Sequence, residues 1–364
     1  MYEQAARIQK LSVAPGRRIL AVSDIHGNLP YLRALLEKAA FGADDELIVA
    51  GDFLEKGPES LATLRYLMAL ARQGNCHVLL GNCDHWNDVF HEHEDSDEQI
   101  VQYILTKKRG LLWEMCNTAA LDPFEVDDFA AVKRRLRQLY AAEWDFLDSL
   151  PHAIETEHYV FVHAGMRPDK PLRAHTAEEL MHCDDFMRRG WRFDKWVVAG
   201  HWPVMLYGRN IVCANPVIDR DARIISIDGG CVLKDDGQLN ALLIPFAGSE
   251  DFGFVAYDPF PLRTVKTAQK ASARSYYIRW GDSRVQVLQR GEEFSRCRHI
   301  RTGYEMDILT RYLFTGEPIT DCNDCTDYVL PLEPGDAVSV VEETSRGYFV
   351  KHKGVSGWYF GELI

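Results

Sequence analysis

The chain has 364 residues, of which 46% are hydrophobic and 26% charged, so it can bury a sizeable core and about two domains are expected. Its formal net charge of −13 argues against binding nucleic acid or an anionic membrane through a broad basic surface. A phosphate substrate is still possible, because bound metal ions can invert the potential inside one cleft.

Three features of the sequence favour a cytoplasmic protein. Residues 1–13 are polar and charged and lack the apolar core of a signal peptide, and no later run is long enough to span a bilayer. The nine cysteines are scattered through apolar segments, which suits a reducing compartment better than a disulfide framework. We therefore expect neither a membrane nor a nucleic acid as a partner.

The stretch Ile19–Asn28 predicts the first part of a site. The apolar run Ile19–Val22 is typical of a buried strand of a parallel sheet, and in open α/β sheets functional groups gather beyond the carboxyl ends of such strands. Asp24 and His26 alternate after this run, so an extended backbone would point both side chains to the same side. A carboxylate and an imidazole placed together can begin a site for a divalent metal ion.

Four later strands end in the same way, each before a polar residue. They are Glu46–Ala50 with Asp52, Cys76–Leu80 with Asn82, Tyr159–Val162 with His163, and Trp196–Ala199 with His201. Helical patterns follow the first two strands of the chain, from about Pro30 to Ala39 and from Pro58 to Ala71. This alternation predicts right-handed crossovers and a parallel sheet.

Residues 85–150 read as charged helices without a strand between them, and we predict a helical insertion at the rim of the site. The helices are expected over Ser96–Met115 and Asp127–Leu150. His91 and His93 lie in an acidic run. This run could form a second metal site or a solvated surface segment. The spacing is not that of a His-Glu-x-x-His motif, so we favour the solvated segment.

The region after residue 150 combines one further helix with strands that follow one another through turns. Thr176 and Glu179 form a capping box for a helix that is predicted to run to Gly190. The later apolar runs predict an antiparallel flank or a second sheet packed on the first. They are Asn210–Ala214, Arg223–Ile227, Ala241–Phe246 and Gly253–Tyr257.

Any one of the polar residues at the strand ends could simply cap a turn. Together they form a set of oxygen and nitrogen ligands that suits Mn²⁺, Fe²⁺ or Fe³⁺, Zn²⁺ or Mg²⁺. Six ligands are too many for one catalytic ion that keeps open positions, whereas two ions that share a carboxylate solve this. The sequence therefore predicts two divalent metal ions, with manganese as first choice, bound by Asp24, His26, Asp52, Asn82, His163 and His201.

The order of the motifs resembles that of the calcineurin-like metallophosphoesterases. Between Arg18 and Gly230 the chain has Asp-x-His, Gly-Asp-x4-Gly, Gly-Asn-x-Asp, Val-His-Ala-Gly and Gly-His-x-Pro in that order. It looks most like the branch that holds the phosphoprotein phosphatases and the symmetrical diadenosine tetraphosphate hydrolases, and Ile227–Cys231 is similar to a late segment of that branch. The resemblance implies an α/β fold of four layers, α/β/β/α, with a helical insertion.

The resemblance also implies how these residues share the two ions. Asp24 and His26 would bind the first ion, Asp52 would bridge both, and Asn82, His163 and His201 would bind the second. The implied reaction is in-line attack on phosphorus by a hydroxide that bridges the metal ions, without a covalent intermediate. Two cations lower the pKa of bound water and hold the phosphoryl oxygens, so positioning and charge stabilisation supply most of the catalysis.

One departure from the phosphatase pattern is Cys83. Where the phosphatases have Gly-Asn-His-Glu, this chain has Gly-Asn-Cys-Asp, which ends at Asp84. In the family the histidine helps to protonate the leaving oxygen and its acidic neighbour orients it. Cys83 is a poor general acid for an alkoxide, although His85 lies two residues further on. The change therefore favours substrates with good leaving groups, such as aryl or nucleotide phosphates.

A second departure is Lys56, which stands where the family usually has arginine. Lysine supplies charge without the two-pronged geometry of a guanidinium, so the grip on phosphate should be looser. Arg167, four residues after His163, could supply the guanidinium instead. Arg188 and Arg189 are further candidates.

The last part of the chain is predicted to form a separate small domain. We expect a metallophosphoesterase domain over residues 1–262, a linker with a β-hairpin over residues 263–304, and an all-β domain over residues 305–364. The hairpin is predicted from Tyr276–Trp280 and Arg284–Leu288, which flank a short polar turn. Tyr328–Asp336 and Gly347–Leu363 resemble the diverging turn and last strands of a bacterial SH3-like barrel.

Such barrels often bind proline-rich peptides through an aromatic groove. In this chain Phe360 stands at the groove's proline position and Leu363 at its late tyrosine position. Docking on the catalytic domain or self-association is therefore an equal alternative to peptide binding. Cys322 and Cys325 form a Cys-x-x-Cys pair without a second pair, and we interpret them as two free thiols rather than a zinc site.

These features together predict a metal-dependent phosphoric ester hydrolase. The first choice is a protein serine/threonine phosphatase-like enzyme that hydrolyses phosphomonoesters on phosphoproteins, because Gly200–Pro203 lacks the second histidine that many phosphodiesterases carry. The alternatives are a hydrolase of dinucleoside polyphosphates or phosphodiesters, for which the partner is a nucleotide, and a metal-stabilised binding protein that has lost its catalytic acid at position 83.

Overall fold

The computed structural model describes residues 4–86, 97–121 and 129–364. By its internal packing the chain divides into two units. The first unit comprises Met1–Pro203, Pro216–Leu233 and Gly237–Tyr257, and the second comprises Val204–Asn215, Lys234–Asp236 and Asp258–Ile364. The domain boundaries predicted at residues 262 and 304 stay a prediction. His91 and His93 lie outside the described residues.

Strands and helices are numbered in chain order. The strands are β1 (Ile8–Lys10), β2 (Arg18–Val22), β3 (Asp45–Ala50), β4 (Cys76–Leu79), β5 (Ala153–Glu155), β6 (Tyr159–Val162), β7 (Trp196–Ala199), β8 (Val212–Cys213), β9 (Val217–Asp219), β10 (Ile224–Ser226), β11 (Leu239–Ile244), β12 (Gly253–Tyr257), β13 (Leu262–Thr264), β14 (Tyr277–Ile278), β15 (Arg284–Gln289), β16 (Phe294–His299), β17 (Glu305–Leu309), β18 (Ile319–Asp321), β19 (Cys325–Thr326), β20 (Ala337–Thr344), β21 (Gly347–His352) and β22 (Val355–Tyr359). The helices are α1 (Leu29–Lys38), α2 (Ser60–Ala71), α3 (Asp97–Lys107), α4 (Leu111–Thr118), α5 (Phe129–Leu139), α6 (Ala141–Ser149) and α7 (Ala177–Met181).

Two sheets of the first unit carry the strands that lead to the predicted site. The first sheet has the order β12-β11-β2-β3-β4, in which β2, β3 and β4 run parallel. The second has the order β1-β5-β6-β7-β10-β9, in which β6, β7 and β10 run parallel. Three of the strands that precede predicted ligands therefore belong to one sheet and two to the other. The prediction of a mixed α/β fold is confirmed.

Successive side chains of a strand point to opposite faces of its sheet, so one strand contributes to two different apolar cores in this unit. On β2, Leu20 and Val22 belong to an apolar cluster shared with the helices, whereas Ile19 and Ala21 belong to a cluster shared with the second sheet. A third cluster covers the far face of the second sheet and includes Phe186. The first sheet is thus buried on both faces, which explains why its parallel strands read as continuous apolar runs.

The described part of residues 85–150 holds four helices where the sequence predicted two, so that prediction is wrong in detail. The first predicted helix is broken at Gly110, whose φ of +94° separates α3 from α4. The second is broken at Tyr140, between α5 and α6. Among the described helices, none is both long enough and apolar enough to cross a lipid bilayer.

The helix predicted to run from Thr176 to Gly190 is much shorter. The capping box is present, because the Thr176 hydroxyl accepts a hydrogen bond from the Glu179 backbone and the Glu179 carboxylate accepts one from the Thr176 backbone. The helix nevertheless ends at Met181. The next helical segment is a 3₁₀ turn at Phe186–Arg189. Residues 182–185 therefore form a bend that the sequence pattern did not indicate.

The second unit is built from β-strands. Its sheets have the orders β13-β20-β21-β22-β8, β17-β16-β15-β18 and β14-β19. The all-β character predicted for the end of the chain agrees with this, whereas the SH3-like barrel stays a prediction. Two expected pairings differ: β8 pairs with β22 instead of flanking the sheets of the first unit, and β14 pairs with β19 instead of β15. β15 instead pairs with β16 and β18, and its apolar side is buried in one cluster with those of β16 and β17.

Candidate metal centre

The structure brings together the six residues predicted to bind metal ions. They follow β2, β3, β4, β6 and β7, so three strand ends of the first sheet meet two strand ends of the second. Asp24, His26, Asp52 and His163 are at most 2% exposed. These polar groups therefore lie where bulk water cannot solvate them and where other partners must do so.

Four of the six residues have a left-handed backbone conformation. The φ angle is +56° at Asp24, +49° at His26, +51° at Asp52 and +65° at His201. For residues other than glycine this conformation costs roughly 1–2 kcal/mol. Hydrogen bonds between the strand ends hold it, since the Asp24 amide donates to Gly51 O at 3.0 Å and the His26 amide donates to Asp52 O at 2.9 Å. Strain gathered at one place in a fold points to a functional site.

One group of ligand atoms surrounds Nε2 of His26. The Nδ1 of this ring lies 3.3 Å from Leu54 O, so Nδ1 carries the proton and Nε2 keeps its lone pair. Nε2 lies 3.8 Å from Asp24 Oδ1 and 3.9 Å from Asp52 Oδ2. Although the ring is fully buried, Nε2 has no hydrogen-bond partner among the described residues. A buried, unprotonated nitrogen that faces two carboxylates fits a divalent cation.

A second group of ligand atoms surrounds Asn82 Oδ1. His163 Nε2 lies 2.9 Å from it and His201 Nδ1 lies 3.0 Å from it. His163 Nε2 is also 3.3 Å from Asp52 Oδ1, while its Nδ1 lies 3.0 Å from Ala50 O and so takes the proton. Nitrogen and oxygen ligands about 2.1 Å from one ion lie about 3 Å from each other, which is the spacing found here.

The electrostatics of the two groups are also those of a cation site. Burial and the nearby Asp52 raise the pKa of Asp24, whereas His163, His26 and Lys56 outweigh the effect of burial on Asp52 and lower its pKa. Burial lowers the pKa of His26 and of His201 to about 4, which keeps both imidazoles in the neutral form that binds metal.

Glycine is required at two of the strand ends because ligands touch the backbone there. A Cβ on Gly200 would lie 2.2 Å from Asp24 Oδ2, and a Cβ on Gly81 would lie 2.2 Å from Asp52 Oδ1. In both places the missing side chain leaves room for a carboxylate. The glycine in the Gly-Asn and Gly-His motifs thus has a direct steric role in the ligand arrangement.

Lys56 and Cys83 lie beside the ligand atoms. Burial lowers the pKa of Lys56, but the electrostatic effects of Cys83, Asp52 and Asp24 outweigh it and raise the pKa, so the lysine stays protonated. Cys83 offers its sulfur within 4.8 Å of a ligand atom of His26 and of Asp52. Its backbone amide donates to Asp52 Oδ1 at 2.8 Å, which links the loop after β4 to the loop after β3.

Asp84 and His85, which follow Cys83, are both buried. Asp84 Oδ1 accepts a hydrogen bond from the Leu54 amide and Oδ2 accepts one from the Gly81 amide, both at 2.9 Å. The Asp84 carboxylate therefore connects the loop after β3 to the loop after β4. The His85 ring is buried, with its centre 5.9 Å from that of His152. Their catalytic roles stay predictions.

Arg167 lies at the surface. Its Nε and Nη2 donate to the carboxylate of Asp169 at 3.0 and 2.5 Å, in a two-pronged ion pair. The guanidinium would have to leave this pair before it could hold a phosphate. The proposal that Arg167 replaces the family's arginine therefore finds no support in its contacts.

Sequence reasoning missed three acidic residues at this site. Asp228 is fully buried, one of its oxygens accepts a hydrogen bond from the Gly230 amide, and burial together with Asp24 raises its pKa. Asp184 contacts His201 through a hydrogen bond. The sequence provided a hint for only one of the three: Asp228 lies in Ile227–Cys231, which is similar to a late segment of the family branch.

The third missed residue is Glu55, which follows Asp52 by three positions and is buried. Its carboxylate accepts hydrogen bonds from Trp86 Nε1 at 3.0 Å, from the Tyr103 hydroxyl at 2.8 Å and from the Leu111 amide at 2.8 Å. Glu55 thus joins the loop of Asp52 to α3 and α4. Its partners are distant in sequence, so no local pattern could indicate them.

Comparison with known proteins agrees with this geometry. A family model described as calcineurin-like phosphoesterase matches residues 17–221. The chain belongs to the calcineurin-like phosphoesterase family. The prediction of a metallophosphoesterase is therefore confirmed, while the roles of individual residues in this phosphoesterase stay predictions.

Curated relatives of this phosphoesterase include nucleotide hydrolases. The symmetrical bis(5'-nucleosyl)-tetraphosphatase of Ectopseudomonas mendocina (strain ymp) is 32% identical over 173 residues, which cover 46% of this chain and 53% of that protein. The asymmetrical bis(5'-nucleosyl)-tetraphosphatase PrpE of Geobacillus thermodenitrificans (strain NG80-2) is 26% identical over 248 residues, which cover 62% of this chain and 89% of that protein. This phosphoesterase thus spans about half the length of the symmetrical enzymes that it matches.

A solved structure of a metallophosphoesterase from Sphaerobacter thermophilus is also similar to this phosphoesterase. It has 18% identity and a TM-score of 0.38, and the match covers 67% of this chain and 89% of that chain. A likeness at this level adds nothing to the family assignment.

We expect Gly200→Ala to weaken metal binding strongly. The new methyl group would lie 2.2 Å from Asp24 Oδ2 and 2.4 and 2.7 Å from Oγ and Cβ of Ser23, so both residues would have to move. Manganese content after gel filtration, measured by plasma mass spectrometry, checks this. Gly16→Ala is the control, because a Cβ on Gly16 meets nothing within 4 Å. Equal metal content in both variants would contradict the expectation.

Proposed function

We propose that this phosphoesterase binds two divalent metal ions and hydrolyses phosphate compounds with good leaving groups, with dinucleoside polyphosphates as its substrate class. The observation that carries the choice of substrate is Cys83, which stands beside the ligand atoms where the family's phosphatases have an imidazole. The relatives named as tetraphosphatases support the same class.

The six predicted residues would hold the ions. Asp24, His26 and Asp52 would bind the first, and Asp52, Asn82, His163 and His201 the second. Bound there, the ions would lower the pKa of water and neutralise charge on a phosphoryl group. The protein contributes a buried position, fixed histidine tautomers and a backbone that keeps the carboxylates apart. The donor set of oxygen and nitrogen atoms suits Mn²⁺, and Fe, Zn²⁺ or Mg²⁺ are alternatives.

Lys56 supplies a positive charge from the protein itself near the proposed metal centre. Asp24 and Asp52 contribute to the raised pKa of this lysine, so a phosphoryl group bound near its ammonium group would gain a further positive neighbour. An ammonium acts as a single charge and does not impose the planar two-pronged geometry of arginine. This suits a polyphosphate chain, whose oxygens can be held in more than one arrangement.

The leaving group separates the substrate classes. A serine or threonine alkoxide must be protonated as it leaves, whereas a nucleotide leaves as a stable phosphate anion and needs little help. A thiol is a weak hydrogen-bond donor, the Asp84 carboxylate is held by two backbone amides, and His85 packs against His152. The residues that follow Asn82 therefore suit a phosphoanhydride better than an alkyl ester.

Dephosphorylation of phosphoproteins, the first choice from the sequence, is the second candidate. The observation that favours it is Gly200–Pro203, which lacks the second histidine found in many phosphodiesterases. A phosphopeptide would need an acid for its leaving oxygen from a group other than Cys83. Self-association or docking through the C-terminal region stays a separate proposal.

A substrate panel tests the proposal. With manganese, we expect kcat/KM for diadenosine tetraphosphate to exceed that for a phosphoserine peptide by at least about 100-fold, the lower range of what general acid catalysis contributes. p-Nitrophenyl phosphate should also be hydrolysed, because its leaving group is good, and its bis-ester reports phosphodiesterase activity. A preference for the phosphopeptide would support the second candidate, and no turnover on any compound would support a binding protein.

Asp52→Asn should lower kcat by at least about 100-fold, because the charge expected to hold both ions is lost. Turnover of diadenosine tetraphosphate and metal content are measured together. Asp251→Asn, which removes an exposed carboxylate, is the matched control and should behave as the wild type. An Asp52→Asn variant with full activity would exclude the proposed centre.

Cys83→His should leave the metal content unchanged and raise the rate on alkyl phosphates most. The new imidazole can protonate an alkoxide, whereas an aryl oxide or a nucleotide gains little. The measurement is the ratio of kcat for a phosphoserine peptide to kcat for p-nitrophenyl phosphate, before and after the substitution. An unchanged ratio would show that the acid is not what limits alkyl esters.

A further inference from the structure

His201 lies between two oxygens, one on each side of its ring. Nδ1 is 3.0 Å from Asn82 Oδ1, within the proposed metal centre, and Nε2 is 3.1 Å from Asp184 Oδ1 on the opposite side. A neutral imidazole carries one proton, and only its unprotonated nitrogen can bind a metal ion. A carboxylate at Nε2 keeps the proton there and leaves the Nδ1 lone pair directed at the centre.

The bend at residues 182–185 puts Asp184 in this position. The Asp184 side chain is 61% exposed, but its backbone is held, because its carbonyl accepts hydrogen bonds from Nε and Nη2 of Arg189 at 3.1 and 2.8 Å. Phe186, two residues further on, is buried in the core on the outer face of the second sheet. The carboxylate is therefore presented to His201 by a segment that is fixed at both backbone and core.

We propose that Asp184 is a positioning residue of the metal centre, which orients His201 and selects the tautomer that binds the second ion through Nδ1. This inference rests on the proposed function, since His201 must be a metal ligand for it to apply. Carboxylates that hydrogen-bond the far nitrogen of a ligating histidine fix its ring and raise its basicity, and their removal typically costs roughly 10- to 100-fold in metal affinity.

The neighbouring residue provides a matched control. Asp185 carries the same charge, but its Oδ1 lies 3.7 Å from Arg188 Nη1, in an ion pair of its own. It also has a left-handed φ of +54°, which asparagine tolerates well. Asp184→Asn and Asp185→Asn therefore make the same chemical change one residue apart, and only the first removes charge from the partner of His201.

The test is a manganese titration of the metal-free full chain, followed by the electron paramagnetic resonance signal of free Mn²⁺. We expect Asp184→Ala to weaken one of two sites by at least about tenfold while two ions are still bound at saturation. Asp184→Asn, which keeps an acceptor but loses the charge, should fall between Asp184→Ala and the wild type. Asp184→Glu restores the carboxylate and should bind more tightly than Asp184→Ala, a rescue that a merely structural role would not produce.

Two further variants separate this inference from the proposed centre. Asp185→Asn should bind manganese as the wild type does, and an equal loss in both asparagine variants would show a general charge effect and overturn the positioning role. His201→Ala should lose one ion. If it does and Asp184→Ala binds as the wild type, the role of Asp184 is wrong and the centre stands. If His201→Ala keeps both ions at full affinity, the proposed ligand set itself is wrong.

Discussion

Burial of several carboxylates at the meeting ends of two sheets is the constraint on which this site depends. Asp24, Asp52 and Asp228 are almost fully enclosed, and burial raises the pKa of Asp24 and Asp228. Buried carboxylates are costly unless cations or hydrogen-bond donors compensate for the lost water. Lys56 and backbone amides compensate in part, and divalent ions would supply the rest. Metal binding at the proposed centre would therefore also stabilise this edge of the sheets.

Asp52 connects the two groups of ligand atoms. Its Oδ1 accepts a hydrogen bond from the Cys83 amide and lies 3.3 Å from His163 Nε2, while its Oδ2 faces His26. The carboxylate therefore contacts the loop after β4 and a histidine of the other sheet at once. A residue at position 52 needs a short side chain with two acceptor oxygens. The left-handed backbone of Asp52 shows that the chain tolerates local strain to place it there.

The sequence predicted the parts of the site that depend on strand ends and failed where distant segments meet. Apolar runs that stop before Asp, Asn or His locate the six residues that meet in the structure and are predicted to bind metal, because parallel strands bring their carboxyl ends to one edge. Helix bounds were less accurate: Gly110 interrupts a helical pattern that is otherwise continuous, and the bend after Met181 follows an intact capping box. Asp184 and Glu55 meet partners that are remote along the chain, so no local pattern indicates their contacts.

The hydrogen bonds of Glu55 have a consequence for how this protein can change in evolution. Its carboxylate accepts hydrogen bonds from the indole of Trp86, the phenol of Tyr103 and the first backbone amide of α4, and a Cβ on Gly110 would collide with it. Substitutions elsewhere on these helices leave the carboxylate satisfied, whereas loss of these donors, or a side chain at Gly110, would disturb Glu55 directly. A chain that exchanged its helical segment for an unrelated one would leave a buried acid without donors, one residue away from Lys56.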